Sequence, residues 1–339
     1  MSFVPSITFI VATRNEAAHI DACLQAIRSQ SYDQEKIEIL VPDQSSEDDT
    51  RERAARYGAI VTLNPPQRAI FSLPAALEQA KGDIVADCAA DNRMEPGYCS
   101  ALARAFENPE VAVVFCPVTT DKPGYPLAVR YINRFTDPFN HFVYGDASNP
   151  RDLSKRYAPV GRGEGFTLYR FPIDEPPLLA FAQGIAFRAP VRMDQEYPDD
   201  VGFVLDMVRE GKVFACLDEA LVDHYTAPSL KALLDKFRWR VGKNFARDSS
   251  LRWRDRYLSP GRRRRRSLWP LYACSIIAPV AVGIWRAMRD REPLWLYHPV
   301  ITLAFAWVIG TEALKRLPDA VHLLLRGGRN AGDTTISKL

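Results

Sequence analysis

The feature that most constrains this chain is the alternation of short apolar runs with helical segments over residues 6–116. The apolar runs are rich in β-branched residues, and stretches of about 10–15 residues with helical periodicity separate them. Strands joined by helical crossovers form βαβ units and a mainly parallel sheet. We therefore predict an α/β fold with helices on both faces of the sheet. The predicted strands are Ser6–Ala12, Ile37–Val41, Ile60–Leu63, Asp83–Ala86 and Val111–Cys116.

Local signals between the strands predict where the helices begin. Asn15 and Glu16 are predicted to open the first helix, and Pro42 to end the second strand. Ser45 and Ser46 are then predicted to cap the next helix, because acids follow where the helix dipole favours them. The first helix is predicted to bury one apolar face, formed by Ile20, Cys23, Leu24 and Ile27.

The rest of the N-terminal two thirds is less regular. Residues 121–177 give no consistent period and are left unassigned. Periodicity returns with a strand at Phe181–Arg188 and a helix at Asp199–Gly211, which the glycine ends. The six cysteines have no CxxC spacing and lie mostly in apolar runs, so we predict small buried residues without disulfides. The N-terminus lacks the pattern of a signal peptide, so this part is expected on the cytoplasmic side.

The C-terminal third has the composition of a membrane-attached region. Residues 230–254 mix Leu, Phe and Trp with Lys and Arg, which suits an amphipathic helix on an anionic membrane surface. Five consecutive arginines, Arg262–Arg266, precede two uncharged segments, Leu268–Trp285 and Pro293–Thr311. Each segment is near the lower limit of about 17–25 residues for a span. Two buried helices of a soluble domain are the alternative.

The orientation of these segments stays open at the level of sequence. Arg286, Arg289 and Arg291 lie between them and would be translocated by a hairpin of two spans. Such an arrangement opposes the positive-inside tendency. Residues 267–314 are therefore predicted to form either two transmembrane or two re-entrant helices, between a basic interfacial region at 230–266 and a cytoplasmic tail at 315–339.

Acidic residues recur where the predicted strands end. Asp43 ends the second strand, Asp91 follows the fourth, and Asp199 and Asp200 start the late helix. Transfer of a sugar from a nucleoside diphosphate needs a cation for the leaving group and a carboxylate for the acceptor proton. Acids at adjacent strand ends of one sheet can converge on such a site. No GxGxxG and no GxxxxGK[ST] occurs, which argues against dinucleotide and P-loop sites.

Four segments together resemble family 2 glycosyltransferases, inverting enzymes of the Rossmann-like GT-A fold. They are Ile7–Asn15 (ITFIVATRN), Ile37–Thr50 (IEILVPDQSSEDDT), Gly82–Asn92 (GDIVADCAADN) and Pro198–Gly211 (PDDVGFVLDMVREG). The resemblance covers roughly residues 5–245, with residues 1–229 as the expected GT-A domain. The C-terminal region makes the chain look most like succinoglycan-type exopolysaccharide enzymes of the inner membrane.

The resemblance implies a role for each matched residue. Asp200 matches the catalytic base, with Asp199 before it. Asp91 matches the last acid of the metal-binding DxD, and His224 stands where many relatives keep a histidine near the metal. Arg238 and Trp239 match an acceptor-binding motif in processive relatives. The residues matched to the donor are Ala12, Thr13, Arg14, Glu16, Asp43, Arg68 and Asp91.

The resemblance also implies the ligands. We expect a divalent cation (Mn²⁺ or Mg²⁺), a nucleotide-sugar donor, most simply a UDP-sugar, and a lipid-linked or saccharide acceptor. Anionic membrane lipids are also expected partners, whereas nucleic acid is not an expected partner. Direct transfer to polyprenyl phosphate is the close alternative.

Departures from the family pattern keep other interpretations open. The DxD motif reads Ala89-Ala90-Asp91, so one carboxylate is missing, and Asp87 is out of register to replace it. A catalytically inactive membrane scaffold is therefore the second hypothesis. His224 could equally be a solvated histidine at a strand end, without a role in metal binding. Arg238 and Trp239 are also consistent with anchoring at the membrane interface, which is the interpretation that we favour.

Overall fold

The computed structural model describes residues 3–63, 76–181, 183–191, 202–245 and 258–327. The chain divides into two compact units. The first comprises residues 1–229 with 249–269, and the second comprises residues 230–248 with 270–339.

The first unit is built on a mostly parallel sheet. Among the described residues, nine strands form this sheet in the order β3-β2-β1-β4-β9-β6-β10-β8-β7, and β5 pairs with β11 separately. β9 and β8 run antiparallel to their neighbours, and the strands from β3 to β4 are all parallel. The strands are β1 Ile7–Ala12, β2 Ile37–Asp43, β3 Ile60–Leu63, β4 Ile84–Ala89, β5 Asn92–Met94, β6 Val111–Phe115, β7 Gly161–Gly163, β8 Phe166–Tyr169, β9 Ile185–Arg188, β10 Val213–Leu217 and β11 Val222–His224.

Helices cover both faces of this sheet, as predicted. On one face, α1 buries Ile20, Cys23, Leu24 and Ile27, the set expected from the sequence. On the other face, Val204 and Val208 of α6 pack with Phe187 and Phe214. The helices are α1 Ile20–Arg28, α2 Thr50–Arg56, α3 Tyr98–Phe106, α4 Leu127–Phe135, α5 Pro138–Tyr144, α6 Gly202–Arg209, α7 Leu230–Phe245, α8 Pro260–Cys274, α9 Ile277–Arg289 and α10 His298–Gly327.

Four predicted boundaries are wrong. The strand predicted at Phe181–Arg188 begins only at Ile185, since Leu178–Phe181 form a 3-10 helix. Pro42 does not end β2, which continues to Asp43. Proline lacks the backbone N–H, but its carbonyl still accepts a hydrogen bond from the Thr13 amide (3.2 Å). Ser45 and Ser46 do not cap α2, which begins at Thr50, because Ser46 binds Asp43 instead. The first helix begins at Ile20 rather than at Asn15.

The cysteine prediction is confirmed for five of the six residues. Cys23, Cys88, Cys99, Cys116 and Cys216 are buried free thiols, whereas Cys274 is exposed. Burial raises the pKa of Cys116 to about 12. The Cys116 thiol is therefore protonated at neutral pH and acts as a small apolar group.

The five-arginine run does not act as one surface. Arg262 is buried within the first unit, where Nη1 donates to the Pro176 carbonyl (3.2 Å). Its guanidinium also lies over the ring of Tyr144 at 4.9 Å. The next four arginines are exposed. Arg262 therefore anchors the start of α8 within the first unit, and its position in a run of charged residues did not predict this burial.

The unassigned segment 121–177 contains α4, α5 and a buried carboxylate, Asp152, that is paired with two cations. Asp152 lies 3.0 Å from Arg134 Nη1 and 2.8 Å from Lys155 Nζ. Burial alone would raise the pKa of Asp152, but these two cations lower it below its ordinary value. The ionised carboxylate is therefore the stabilising form, above the unfolded pKa of about 3.9.

We expect Asp152→Asn to lower the free energy of unfolding by about 2 kcal/mol at pH 7, because it removes the charge from a buried carboxylate that pairs with Arg134 and Lys155. The difference from wild type should disappear as the pH falls through the lowered pKa of Asp152, since both proteins are then uncharged at this position. Denaturant titrations at several pH values measure it. Asp121→Asn, in the exposed pair with Arg130, is the control and should cost under about 1 kcal/mol. Equal costs for both variants would contradict the buried-pair assignment.

The second unit contains the apolar C-terminal helices. In the described part of the chain, one helical segment, Pro293–Lys315, is long and apolar enough to cross a membrane, with 23 residues and a mean hydropathy of 1.4. α8 and α9 would pass the same test together, but they are bent by 101° at the break between them.

Candidate active site

The loops after β1 and β2 are bound to each other at the carboxyl edge of the sheet. Gln44 N–H donates to the Thr13 carbonyl (2.9 Å), and Glu47 N–H donates to Asn15 Oδ1 (2.8 Å). Asn15 and Ser45 have positive φ angles, 55° and 58°, which turn the two loops towards each other. The paired loops therefore form a fixed wall where a ligand of a parallel sheet is expected.

Asp43 lies at the centre of these loops and is fully buried. Its carboxylate accepts hydrogen bonds from Thr13 Oγ1 (3.0 Å), Ser46 N–H (2.9 Å) and Ser46 Oγ (2.5 Å). Arg51 Nε lies 3.8 Å from Oδ1. Asp43 therefore fixes the shape of the wall, and its contact with a donor base stays a prediction.

The other residues matched to this loop differ in exposure. Thr13 is buried, Ala12 and Glu16 are half-buried, and Arg14 is exposed. Glu16 N–H donates to Thr50 Oγ1 (2.8 Å), which ties the loop to the start of α2. Arg14 is thus the matched side chain most open to a ligand here.

Asp91 and His224, the two predicted metal ligands, are neighbours in the structure. His224 pairs with Asn92 across the β5–β11 sheet, which brings His224 Nε2 within 3.7 Å of Asp91 Oδ2. The two side chains are only 10% and 13% exposed. A carboxylate and an imidazole at this distance are both ligand types for a divalent cation such as Mn²⁺.

The described residues supply only part of a coordination shell at this position. Across the described residues, no group of three or more His, Cys, Asp or Glu side chains is placed to hold a metal. Ala89, at the first DxD position, is exposed. Asp87 lies on the same sheet face as Ala89 but about 6.6 Å further back along the strand. The residues fit a cation that is completed by diphosphate oxygens and water.

Two amide side chains, that of Asn92, which follows Asp91, and that of Gln183, which Asn92 contacts, were not singled out by the sequence. Asn92 Nδ2 donates to Gln183 Oε1 (2.7 Å), and Asn92 is almost fully buried. Asn92 Oδ1 has no hydrogen-bond partner among the described residues. Sequence reasoning missed Gln183 because its partner, Asn92, lies 91 positions away along the chain. The only nearby sequence signal was the glycine that follows it.

Gly184 holds this part of the site together. Its φ is +58°, and a Cβ at this position would lie 2.6 Å from Val222 Cγ2, on the strand that carries His224. Tyr98 Oη also donates to the Gly184 carbonyl (3.2 Å). The segment before β9 and the start of β11 can therefore approach each other this closely only with glycine here.

We expect Gly184→Ala to destabilise the protein by about 3 kcal/mol, from left-handed strain of about 1 kcal/mol and overpacking of about 2 kcal/mol. Gly211→Ala is the matched control, since Gly211 has φ +67° but open space around it. It should cost only the strain of about 1 kcal/mol. Thermal unfolding of both variants measures the difference. Equal losses would show that the contact with Val222 carries no constraint.

Five predicted site residues fall outside the described part of the first unit. Arg68, Asp199 and Asp200 lie outside the described residues. Arg238 and Trp239 belong to the second unit, where Arg238 forms ion pairs with Asp235 (2.7 Å) and Glu312 (4.0 Å). Trp239 is 61% exposed. Their acceptor role stays a prediction.

Comparison with known proteins identifies the domain that carries this site. Residues 8–175 match the profile of the family described as Glycosyl transferase family 2. The chain is 26% identical over 207 residues to the putative glycosyltransferase EpsH of Bacillus subtilis (strain 168), covering 59% of this chain and 54% of EpsH. It is 33% identical over 91 residues to the glycosyltransferase AglE of Haloferax volcanii, covering 25% of this chain and 30% of AglE.

The fold is similar to that of a solved enzyme. The mannosyltransferase PcManGT of Pyrobaculum calidifontis, in complex with GDP-Man and Mn²⁺, superposes with a TM-score of 0.50 at 16% identity. The match covers 90% of this chain and 87% of PcManGT. The chain spans about half or less of the two curated relatives named above. Together, the profile match and the GT-A-like sheet show that this chain carries a family 2 glycosyltransferase domain.

Proposed function

We propose that this chain is an inverting glycosyltransferase that moves a sugar from a nucleotide-sugar, in the simplest case a UDP-sugar, to an acceptor hydroxyl. The observation that carries the proposal is the placement of Asp91 beside His224, at the carboxyl edge of the sheet in a family 2 domain. The presence of GDP-Man and Mn²⁺ in PcManGT supports a nucleotide-sugar donor and a divalent cation.

In this proposal each residue has a defined task. Asp91 and His224 would hold a divalent cation, which would supply positive charge for the departing diphosphate. The paired loops around Asp43 fix the wall against which the nucleotide rests. Asp200 accepts the proton of the attacking hydroxyl, and the hydroxyl oxygen then bonds to the anomeric carbon as the diphosphate leaves from the opposite side.

Gln183 is proposed to orient the transferred sugar, because it is half-buried, because its amide is held by Asn92, the residue after Asp91, and because hydroxyl groups are suitable partners for an amide. We expect Gln183→Leu to raise the donor KM by about tenfold, the value of one hydrogen bond. Gln25→Leu, at an exposed position of α1, is the control. An unchanged KM in the Gln183 variant would remove this residue from sugar binding.

The acceptor is proposed to be a lipid-linked saccharide at the cytoplasmic face of the inner membrane, as in exopolysaccharide assembly. The apolar segment Pro293–Lys315 supports attachment to a membrane, where such acceptors reside. Direct transfer to polyprenyl phosphate is the second candidate acceptor. An inactive scaffold is the competing function, and Ala89 is the residue that favours it.

Transfer of labelled sugar to lipid tests the proposal. Membranes that contain the protein would be incubated with labelled UDP-sugars, extracted with organic solvent and treated with mild acid. We expect label in the extract, released as an oligosaccharide. Release as a monosaccharide would identify polyprenyl phosphate as the acceptor. Donor binding without any transfer to lipid would favour the scaffold.

A further inference from the structure

We propose that α8 and α9 form a re-entrant wedge, whose tip at residues 271–284 enters one leaflet of the bilayer and does not cross it. The proposal deepens the membrane attachment proposed above and rests on it. It also removes the conflict that the sequence left open, in which a pair of spans would carry three arginines across the membrane.

The first observation is the sharp bend between the two helices. α8 ends at Cys274, α9 begins at Ile277, and the helix axes are bent by 101°. Ile276, at the break, has a φ of +57°, which an isoleucine adopts only under constraint. The pair is therefore not one straight helix with the length of a span.

Two contacts within the second unit hold the bend. Tyr272, in the last turn of α8, has its hydroxyl 2.7 Å from Nε2 of His298, which is almost fully buried at the start of α10. Gly283, in the middle of α9, packs so closely on the Trp295 carbonyl that a Cβ would lie 2.8 Å from it. Because each helix is held to the same C-terminal segment by one of these contacts, straightening α8 and α9 into one span would break at least one of them.

The tip presents apolar side chains to its surroundings. Leu271 is 72% exposed and Ile277 is 80% exposed, and Ile284 and Met288 continue the apolar surface along α9. Exposed apolar surface of this extent indicates a protein or membrane partner. The chemistry at the end of α9 selects the membrane.

That end has the composition of a membrane interface. Arg289 lies 4.6 Å and Arg286 5.4 Å from the ring of Trp285, which is half exposed. Tryptophan and arginine together are typical of the headgroup layer. Because the uncharged helix from Ile277 to Trp285 rises only about 14 Å, it reaches about half of a hydrocarbon core of roughly 30 Å. The arginines therefore return to the face from which the tip enters.

Cysteine labelling in sealed vesicles of both orientations tests this topology. Cys274→Ser removes the exposed native thiol. The labelling that this variant still shows comes from the five buried cysteines and is subtracted as background. Single cysteines are then placed at Arg291, at Ile277 and, as a reference in the first unit, at the exposed Glu107. The probe is a membrane-impermeant maleimide.

We expect Arg291→Cys and Glu107→Cys to react in the same vesicle orientation. Ile277→Cys should react at least about tenfold more slowly in both orientations, because hydrocarbon excludes the probe and disfavours the thiolate. Labelling of Arg291→Cys only in the other orientation would show that the pair crosses the membrane. Labelling of Ile277→Cys as fast as Glu107→Cys would show that no lipid covers the tip. Neither outcome depends on transferase activity, which a separate assay measures.

Discussion

Asp91→Asn is expected to lower donor turnover roughly 100- to 1,000-fold, the loss typical when one group that stabilises developing charge is removed. The expectation is large because the site has little redundancy. Asp91 is the one acid left in the DxD position, and Ala89 supplies no second carboxylate. The other residue proposed to bind the cation is its neighbour His224. A histidine is neutral when it binds a metal, so His224 cannot replace the lost negative charge.

Steady-state kinetics over a range of Mn²⁺ concentrations measures this effect. A higher metal concentration should recover part of the activity of Asp91→Asn, because the diphosphate still contributes ligands. Asp174→Asn, at an exposed position of the same unit, is the control and should retain the wild-type rate. A wild-type rate for Asp91→Asn at low Mn²⁺ would place the cation elsewhere.

Asp200→Asn is expected to abolish transfer while leaving donor binding intact. Loss of a general base costs about 100- to 10,000-fold, and an amide cannot accept the proton of the acceptor hydroxyl. Donor affinity should not change, because in the proposed mechanism Asp200 contacts the acceptor and not the nucleotide.

The neighbouring acid provides the comparison for Asp200. Asp199→Asn removes a charge one residue earlier and should cost less than Asp200→Asn, since the base is retained. Calorimetric donor binding and product formation would be measured on both variants. Transfer at the wild-type rate by Asp200→Asn would remove this residue from the mechanism.

The strand positions and the core of the catalytic unit could be predicted from sequence because their signals are local. The apolar period of α1 identified the four residues that the helix buries, and the five predicted N-terminal strands all exist. Strand ends were less accurate. Pro42 continues β2 because the strand needs its carbonyl, which proline retains.

The composition of the site was harder to predict, because contacts distant in sequence build it. The short β5–β11 sheet brings His224 to Asp91, and no local pattern shows that these two segments pair. Gln183 contacts the first of these segments through Asn92, and the next residue, Gly184, packs against Val222 of the second. Asp43 was matched to donor binding, yet its immediate partners are Thr13 and Ser46 from its own pair of loops.

The measurement that tests the central claim most directly is donor turnover by the detergent-solubilised full chain, with UDP-, GDP- and dTDP-sugars and with Mn²⁺, Mg²⁺ or EDTA. The account predicts that one donor is consumed, that EDTA stops the reaction and that added Mn²⁺ or Mg²⁺ restores it. Turnover that persists in EDTA would contradict the cation held by Asp91 and His224. A protein that neither binds nor consumes any of these donors would contradict the glycosyltransferase itself.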